Sequence, residues 1–321
     1  MAKDPGLAAD TCIFMEAVSG DGGVHNSGGA WWLSPDIQLT GPTSGPDKAD
    51  PGAANPVDVT LHNKGGSCKL PAGTESVTIE LWAANPSLAM APNLPNSTVH
   101  IDSIGMPIFG LGAVASHQFL WTPPTGLPAS DPQAPGHKCL IARSYADPLT
   151  PSATSFFAPD DPHVAQHNIC IVPCGGPGAV QRPHTCGLDV TTVNPDMRQA
   201  QTVKWRALLD LNPSKFVLDV VLRRLKKTKG FERLAKKPPR GFRFQLHDLS
   251  KPKITDHTKP KGKQPATYEA VLTLKAAQVA RFAFIADLTG APLGEAFIFH
   301  LTQVGANGHA QGGLTVVILA V

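Results

Sequence analysis

Residues 160–174 read DDPHVAQHNICIVPC and hold four side chains that can ligate metals: His163, His167, Cys170 and Cys174. On a helix they fall at i, i+4, i+7 and i+11, a single stripe. Eleven residues of helix span about 16 Å, too far for four ligands to surround one ion with bonds of about 2 Å. On a strand, residues four apart stand about 13 Å apart, so His163 and His167 cannot share a metal. Ile169, Ile171 and Val172 favour a strand and Pro173 stops a helix. The stretch is therefore expected to be a buried strand that closes a β-domain. A separate zinc site from Cys174, Cys186 and His184 is a looser alternative, without the paired C-x2-C pattern.

Other chemical signatures are missing. The chain has no H-E-x-x-H, no G-x-S-x-G and no P-loop. GLGAVAS at 110–116 echoes a dinucleotide-binding turn but lacks the third glycine and the strand–helix setting. Asp160 and Asp161, followed by proline, read as a solvated turn rather than an acid–base pair. No catalytic residue, cofactor or metal is assigned, and the chain is read as non-enzymatic. A metal-dependent hydrolase is the weakest of the alternatives.

The strongest chemical feature is a basic run. Arg223, Arg224, Lys226, Lys227, Lys229, Arg233, Lys236, Lys237, Arg240 and Arg243 lie within 21 residues, and Lys251, Lys253, Lys259, Lys261 and Lys263 extend it. Such a segment repels itself unless salt or an anionic partner screens it. Arg223, Arg224, Lys226, Lys227, Lys229, Lys236, Lys237 and Arg240 are the candidate partner-binding residues. An acidic protein surface, the first region of the same chain or of a neighbour, is the first reading; a merely solvated basic loop is the second, and a nucleic acid or acidic polysaccharide, helped by counterion release, the third. Aromatic interleaving is thin, with only Phe231, Phe242 and Phe244.

These residues need elements to hold them. Proline (31) and glycine (30) make up about a fifth of 321 residues, and only 17% are charged, which suits short strands and turns rather than long helices. PVDVTLHN alternates Val57, Val59 and Leu61 against Asp58, Thr60 and His62, and ESVTIELW repeats the pattern. Residues 1–186 hold 7 Lys and Arg against 15 Asp and Glu; residues 187–321 hold 21 against 10. All six cysteines lie in the first part. The expected organisation is mainly β: an acidic, Cys-containing antiparallel β-sandwich over 1–173 with a loop-rich N-terminal arm, a Gly/Pro linker over 174–187, and a basic, Cys-free sandwich over 188–321. KFVLDVVLRRL reads as a strand with a helix possible, and a short helix is expected near 231–237, ended by Pro238 and Pro239. The C-terminal strands are expected to reverse at Asn307-Gly308.

WWLSPDIQL, NPVDVTLHNKG, TIELWAANPS, GHKCLIARSY and DPHVAQHNICIV together resemble a bacterial module of the CARDB type, a cell-adhesion-related, immunoglobulin-like domain, over roughly residues 30–173. Ala165, Gln166 and Asn168 match its closing segment; Asp161, Pro162 and His163 depart from it, and His167 replaces its basic residue. The resemblance implies a β-sandwich used as a structural or binding unit and carries over no catalytic residue. Cys68, Trp82 and Cys139 also follow the immunoglobulin order of cysteine, tryptophan, cysteine. That order would pair Cys68 with Cys139, although Cys68 lies after its strand and His137 replaces the tyrosine of the corner motif. Cys174 and Cys186 could staple the linker. Six free thiols are the alternative, and sequence does not choose among the fifteen full pairings.

The expectation is thus two tandem immunoglobulin-like sandwiches in a structural or adhesive protein. It would bind a protein partner or assemble with itself through regions of opposite charge. No membrane insertion is expected, since no apolar run reaches 18 residues. The N-terminus shows no apolar signal segment, so the chain is expected in the cytoplasm, or on a particle or surface reached by a non-classical route.

Overall fold

The computed structural model describes residues 3–25, 29–92, 94, 97–128, 131–133, 138–175, 185–238, 243–248 and 267–321; for 185, 243 and 245–248 it describes the backbone alone. The first nine strands are β1 (Ile13–Phe14), β2 (Ile37–Gly41), β3 (Gly45–Pro46), β4 (Asn55–Asn63), β5 (Ser76–Ala84), β6 (Thr98–Pro107), β7 (Val114–Trp121), β8 (Cys139–Ala146) and β9 (Val164–His167). β4 is flanked by β7 on one side and by β1 and β2 on the other, with β3 beyond β2. The facing sheet runs β6-β5-β8-β9. All these pairs are antiparallel. The strand distribution, with β2, β4 and β7 against β6, β5, β8 and β9, is immunoglobulin-like.

Alternation explains the packing. Val57, Val59 and Leu61 of β4 and Val77, Ile79 and Leu81 of β5 point into one core with Ile37, Leu39, Phe119 and Leu140. Each is 2% exposed or less. The same alternation puts Trp82 on the opposite face, where it packs with Cys139, Ile141 and Phe156. The register shift between Leu81 and Trp82 leaves Ile101 of β6 as the extra residue.

The second set is β10 (Ile169–Cys174), β11 (Thr185–Val193), β12 (Gln201–Asp210), α1 (Lys215–Leu225), β13 (Arg233–Leu234), β14 (Arg243–Asp248), β15 (Thr267–Leu274), β16 (Val279–Asp287), β17 (Glu295–Val304) and β18 (Ala310–Ala320). One sheet runs β10-β18-β17-β12-β15, with β13 also on β17; the other runs β11-β16-β14. Between them lies an aromatic core. Trp205 meets Phe282 at 4.0 Å between ring centroids, and Phe284 meets Phe299 at 5.1 Å. β17 and β18 form the expected hairpin, with Gly308 at φ 79° in the turn.

Three sequence expectations are corrected here. First, the stretch that was to close the first domain is two strands broken at Asn168. VAQH pairs with β8, whereas ICIVPC pairs in parallel with β18 at the C-terminus, Ile169 beside Thr315 and Cys174 beside Ala320. The strand before the expected linker therefore belongs to the second sandwich. Secondly, the helix is KFVLDVVLRRL, not 231–237, which holds only the two-residue β13. Val217, Val220, Val221, Arg224 and Leu225 recur at helical spacing and are the buried face. Ser214 caps the N-terminus, its side chain accepting from the Val217 N–H at 3.3 Å. Thirdly, Cys68 bonds Cys12, not Cys139, with Cα atoms 5.0 Å apart. Cys68 sits in the loop after β4, where Thr11 and Lys69 exchange hydrogen bonds, so the N-terminal arm and not β8 lies beside it. Cys174 and Cys186 are bonded to each other, and Cys139 and Cys170 are free and buried.

Candidate functional site

Two structural features bear on function: a buried joint between the sandwiches, and a basic ridge that the joint supports. Asn168 is the corner of the joint. It is fully buried, and its backbone N–H donates to the Trp32 carbonyl at 2.9 Å while its carbonyl accepts from Thr315 at 3.1 Å. Its side-chain amide donates to Ser87 O and Gly313 O, both at 2.7 Å, and its amide oxygen accepts from the Cys139 thiol. Trp32 adds an indole N–H bond to Thr315 Oγ1 at 2.9 Å. The backbone and side-chain polar groups of Asn168 and the Trp32 indole N–H thus all have partners, as burial demands.

α1 closes the joint from outside. Its buried face packs on Ile169, Ile171, Val317 and Leu319 and on the segment with Trp31 and Trp32. Arg224 is 6% exposed. It donates to Ile169 O and Asp47 O, both at 2.9 Å, and its Nε lies 3.7 Å from Asp47 Oδ2. His167 Nε2 lies 2.9 Å from Asp47 Oδ1, out of hydrogen-bond alignment, and His167 Nδ1 meets Ser34 O at 3.0 Å. Burial would raise the Asp47 carboxyl, but His167 and Arg224 outweigh it and hold it at about 2. Arg224 was counted among the partner-binding cations; it is instead an internal strut between the halves.

The neighbours of Arg224 are different. Arg223, Lys226, Lys227, Lys229, Lys236 and Lys237 are exposed. Among the described residues the ion pairs of this stretch are Arg224–Asp47 and Arg233–Glu295, so these six cations have no carboxylate partner. Arg223 and Arg224 end the helix, where positive charge suits the carbonyl end. Arg240 and the lysines from 251 to 263 lie outside the described residues.

The acidic first region is less acidic at its surface than in its sequence. Asp4, Asp10, Asp36, Asp47, Asp160 and Asp161 are buried. Asp161, read from sequence as part of a solvated turn, accepts from the Asp4 N–H at 2.8 Å and bonds His163 Nδ1 at 2.7 Å. His163 also faces Asp10 at 3.7 Å. Burial works against the charged imidazole, but the two carboxylates raise His163 to about 9. His163 and His167 thus serve separate carboxylates. Glu75, Asp102 and Asp147 remain exposed on or beside β5, β6 and β8.

The alternative zinc set loses its thiols: Cys174 and Cys186 share a disulfide, and His184 lies outside the described residues. Burial pushes the Cys170 thiol up to about 12 and Cys139 well above the usual range, so neither is a reactive thiolate. Among the described residues, Glu16, Asp36 and His62 form a group of donors that could hold a cation, their ligand atoms lying within 4.8 Å of one another. No spacing rule connects them in sequence.

The fold is that of a mainly β protein of two immunoglobulin-like sandwiches. No family model matches the chain, and no curated protein matches it. Among solved structures it is similar to the BSP domain of a biofilm-associated protein at 9% identity and TM-score 0.28, covering 88% of this chain and 57% of that one. The collagen adhesin of S. aureus gives 6% identity and TM-score 0.22, covering 89% and 93%. The CupB6 tip adhesin of Pseudomonas aeruginosa gives 8% and 0.24, covering 85% and 93%. The chain spans little more than half the length of the first. At such scores the likeness carries no functional inference.

Proposed function

We propose that this chain is a non-enzymatic structural or adhesive protein that grips an acidic protein surface with the ridge of Arg223, Lys226, Lys227, Lys229, Lys236 and Lys237. The resemblance of residues 30–173 to CARDB-type modules points the same way. One observation carries the reading: six exposed cations crowd one helix end and the turns after it, with Glu232 the one carboxylate in the run and no carboxylate in ion-pair range of any of the six among the described residues. Their mutual repulsion is relieved by an external anionic partner. Arg224 at their centre fixes the helix to both sandwiches, so the ridge is presented from a rigid base. A second copy offers a partner surface in the exposed Glu75 and Asp147, which sit side by side with the Glu75 N–H donating to Asp147 Oδ1 at 3.3 Å. Ridge and acidic face are different patches, so such a contact is head-to-tail and builds rings or filaments.

The same unpartnered ridge also favours a second reading, a polyanion as ligand. Changing Lys226, Lys227, Lys236 and Lys237 together to Glu tests both. Loss of self-association with no retention of the wild type on heparin supports the protein–protein reading. Strong heparin retention by a wild-type monomer, lost in the variant, supports the polyanion.

A further inference from the structure

The corner where β1 and β2 meet β4 gathers three donors from distant parts of the chain. Phe14 pairs with His62, and Ile37 with Val59. Two residues past Phe14 comes Glu16, and one before Ile37 comes Asp36. His62 Nε2 lies 3.0 Å from Asp36 Oδ2 and 3.2 Å from Oδ1. The Glu16 N–H donates to Asp36 Oδ2 at 2.5 Å. Ser34 Oγ donates to Glu16 O at 2.5 Å and accepts from the Asp36 N–H at 3.1 Å. The His62 ring lies flat on Phe14, centroids 4.9 Å apart and planes 17° from parallel. The donors are therefore oriented by their own backbone and by a stacked ring.

Charge and size both favour a cation here. Asp36 is 6% exposed beside a second carboxylate. Zinc-like ions bind nitrogen and oxygen at about 2.0–2.2 Å, which sets neighbouring ligand atoms about 2.9–3.5 Å apart. The 3.0 Å between His62 Nε2 and Asp36 Oδ2 falls in that range. Calcium, at about 2.3–2.6 Å and with six to eight oxygens, suits this nitrogen-containing set poorly.

We propose that Glu16, Asp36 and His62 form a binding site for a first-row divalent cation of zinc size. The ion takes the place of the proton between His62 Nε2 and Asp36, which passes to solvent, and the remaining coordination positions are open to water. Glu16 is partly exposed; its Oε2 accepts from the Gly20 N–H at 2.9 Å, which leaves Oε1 for the ion.

The test uses the full chain, stripped with EDTA and titrated with zinc chloride by calorimetry, then with cobalt(II) by absorption. The expected result is saturation at one ion per chain. Cobalt d–d bands should appear without thiolate charge transfer, and calcium should not compete. His62→Gln and Glu16→Gln should each weaken zinc at least about tenfold, with the circular dichroism of the metal-free protein unchanged. Absence of saturable uptake, or equal uptake in both variants, overturns the proposal. If either variant fails to fold, the wild-type cobalt spectrum decides alone, and its absence counts against the site.

Discussion

Arg224 and Asp47 meet in the joint between the two sandwiches, guanidinium Nε to carboxylate Oδ2 at 3.7 Å, with Arg224 Nη2 donating to the Asp47 carbonyl at 2.9 Å. Both residues are more than nine-tenths buried. Removing one partner leaves a buried charge uncompensated, which costs about 3–5 kcal/mol. Arg224→Ala and Asp47→Ala should each lower the urea midpoint accordingly, while Arg224→Met should cost less. A loss under about 1 kcal/mol in both alanine variants would show that the pair does not hold the joint.

Stability should depend on pH with opposite signs at two buried pairs. Asp47 has a folded value depressed to about 2, so its contribution is present above the ordinary carboxylate range and is lost as pH falls toward 2. His163 is raised to about 9, so its contribution is present below the ordinary histidine value and is lost as pH rises through 9. Denaturant midpoints should form a plateau between about pH 4 and pH 6.5. His163→Gln should remove the alkaline decline and leave the acid one.

The two disulfides close loops of different size, 56 and 12 residues in sequence separation. Chain entropy alone assigns about 4 kcal/mol to the longer and about 3 kcal/mol to the shorter. Cys12→Ser with Cys68→Ser should therefore destabilise more than Cys174→Ser with Cys186→Ser, read from unfolding midpoints without reductant. The order reverses if the N-terminal arm contributes little to the folded state.

Gly312 and Gly313 let β18 approach the first region closely. A Cβ on Gly312 would run into the Leu88 backbone, and one on Gly313 into the Trp32 ring. Gly313→Ala should cost about 1–3 kcal/mol and disturb the Trp32–Thr315 bond, visible as a shifted tryptophan emission. An unchanged emission and midpoint would mean the joint yields at this point.

Much of the fold is legible in the sequence, because period-two alternation is a local signal. β4 and β5 follow directly from PVDVTLHN and ESVTIELW. What escaped is non-local. Only Asn168 separates β9 from β10, and the partner of β10 lies near residue 318, so no local pattern assigns it to the second sandwich. The valines of α1 suggested a strand although their spacing was helical. Cys12 was not paired with Cys68 because the path of the N-terminal arm is set by tertiary contacts. Arg224 looked like its basic neighbours; only its place in the row of Val217, Val220 and Val221 distinguished it. Glu16, Asp36 and His62 could not be grouped before the β1–β4 and β2–β4 registers were known.

The ridge itself is tested most directly by sedimentation velocity of the full chain over a concentration series, at low salt and at about 0.5 M salt, where the screening length is near 4 Å. The expected result is concentration-dependent association at low salt. It should be lost at high salt and in the Lys226, Lys227, Lys236 and Lys237 to Glu variant. A wild-type chain that stays monomeric at every concentration and both salts, or a variant that associates as well as the wild type, would contradict assembly through the ridge.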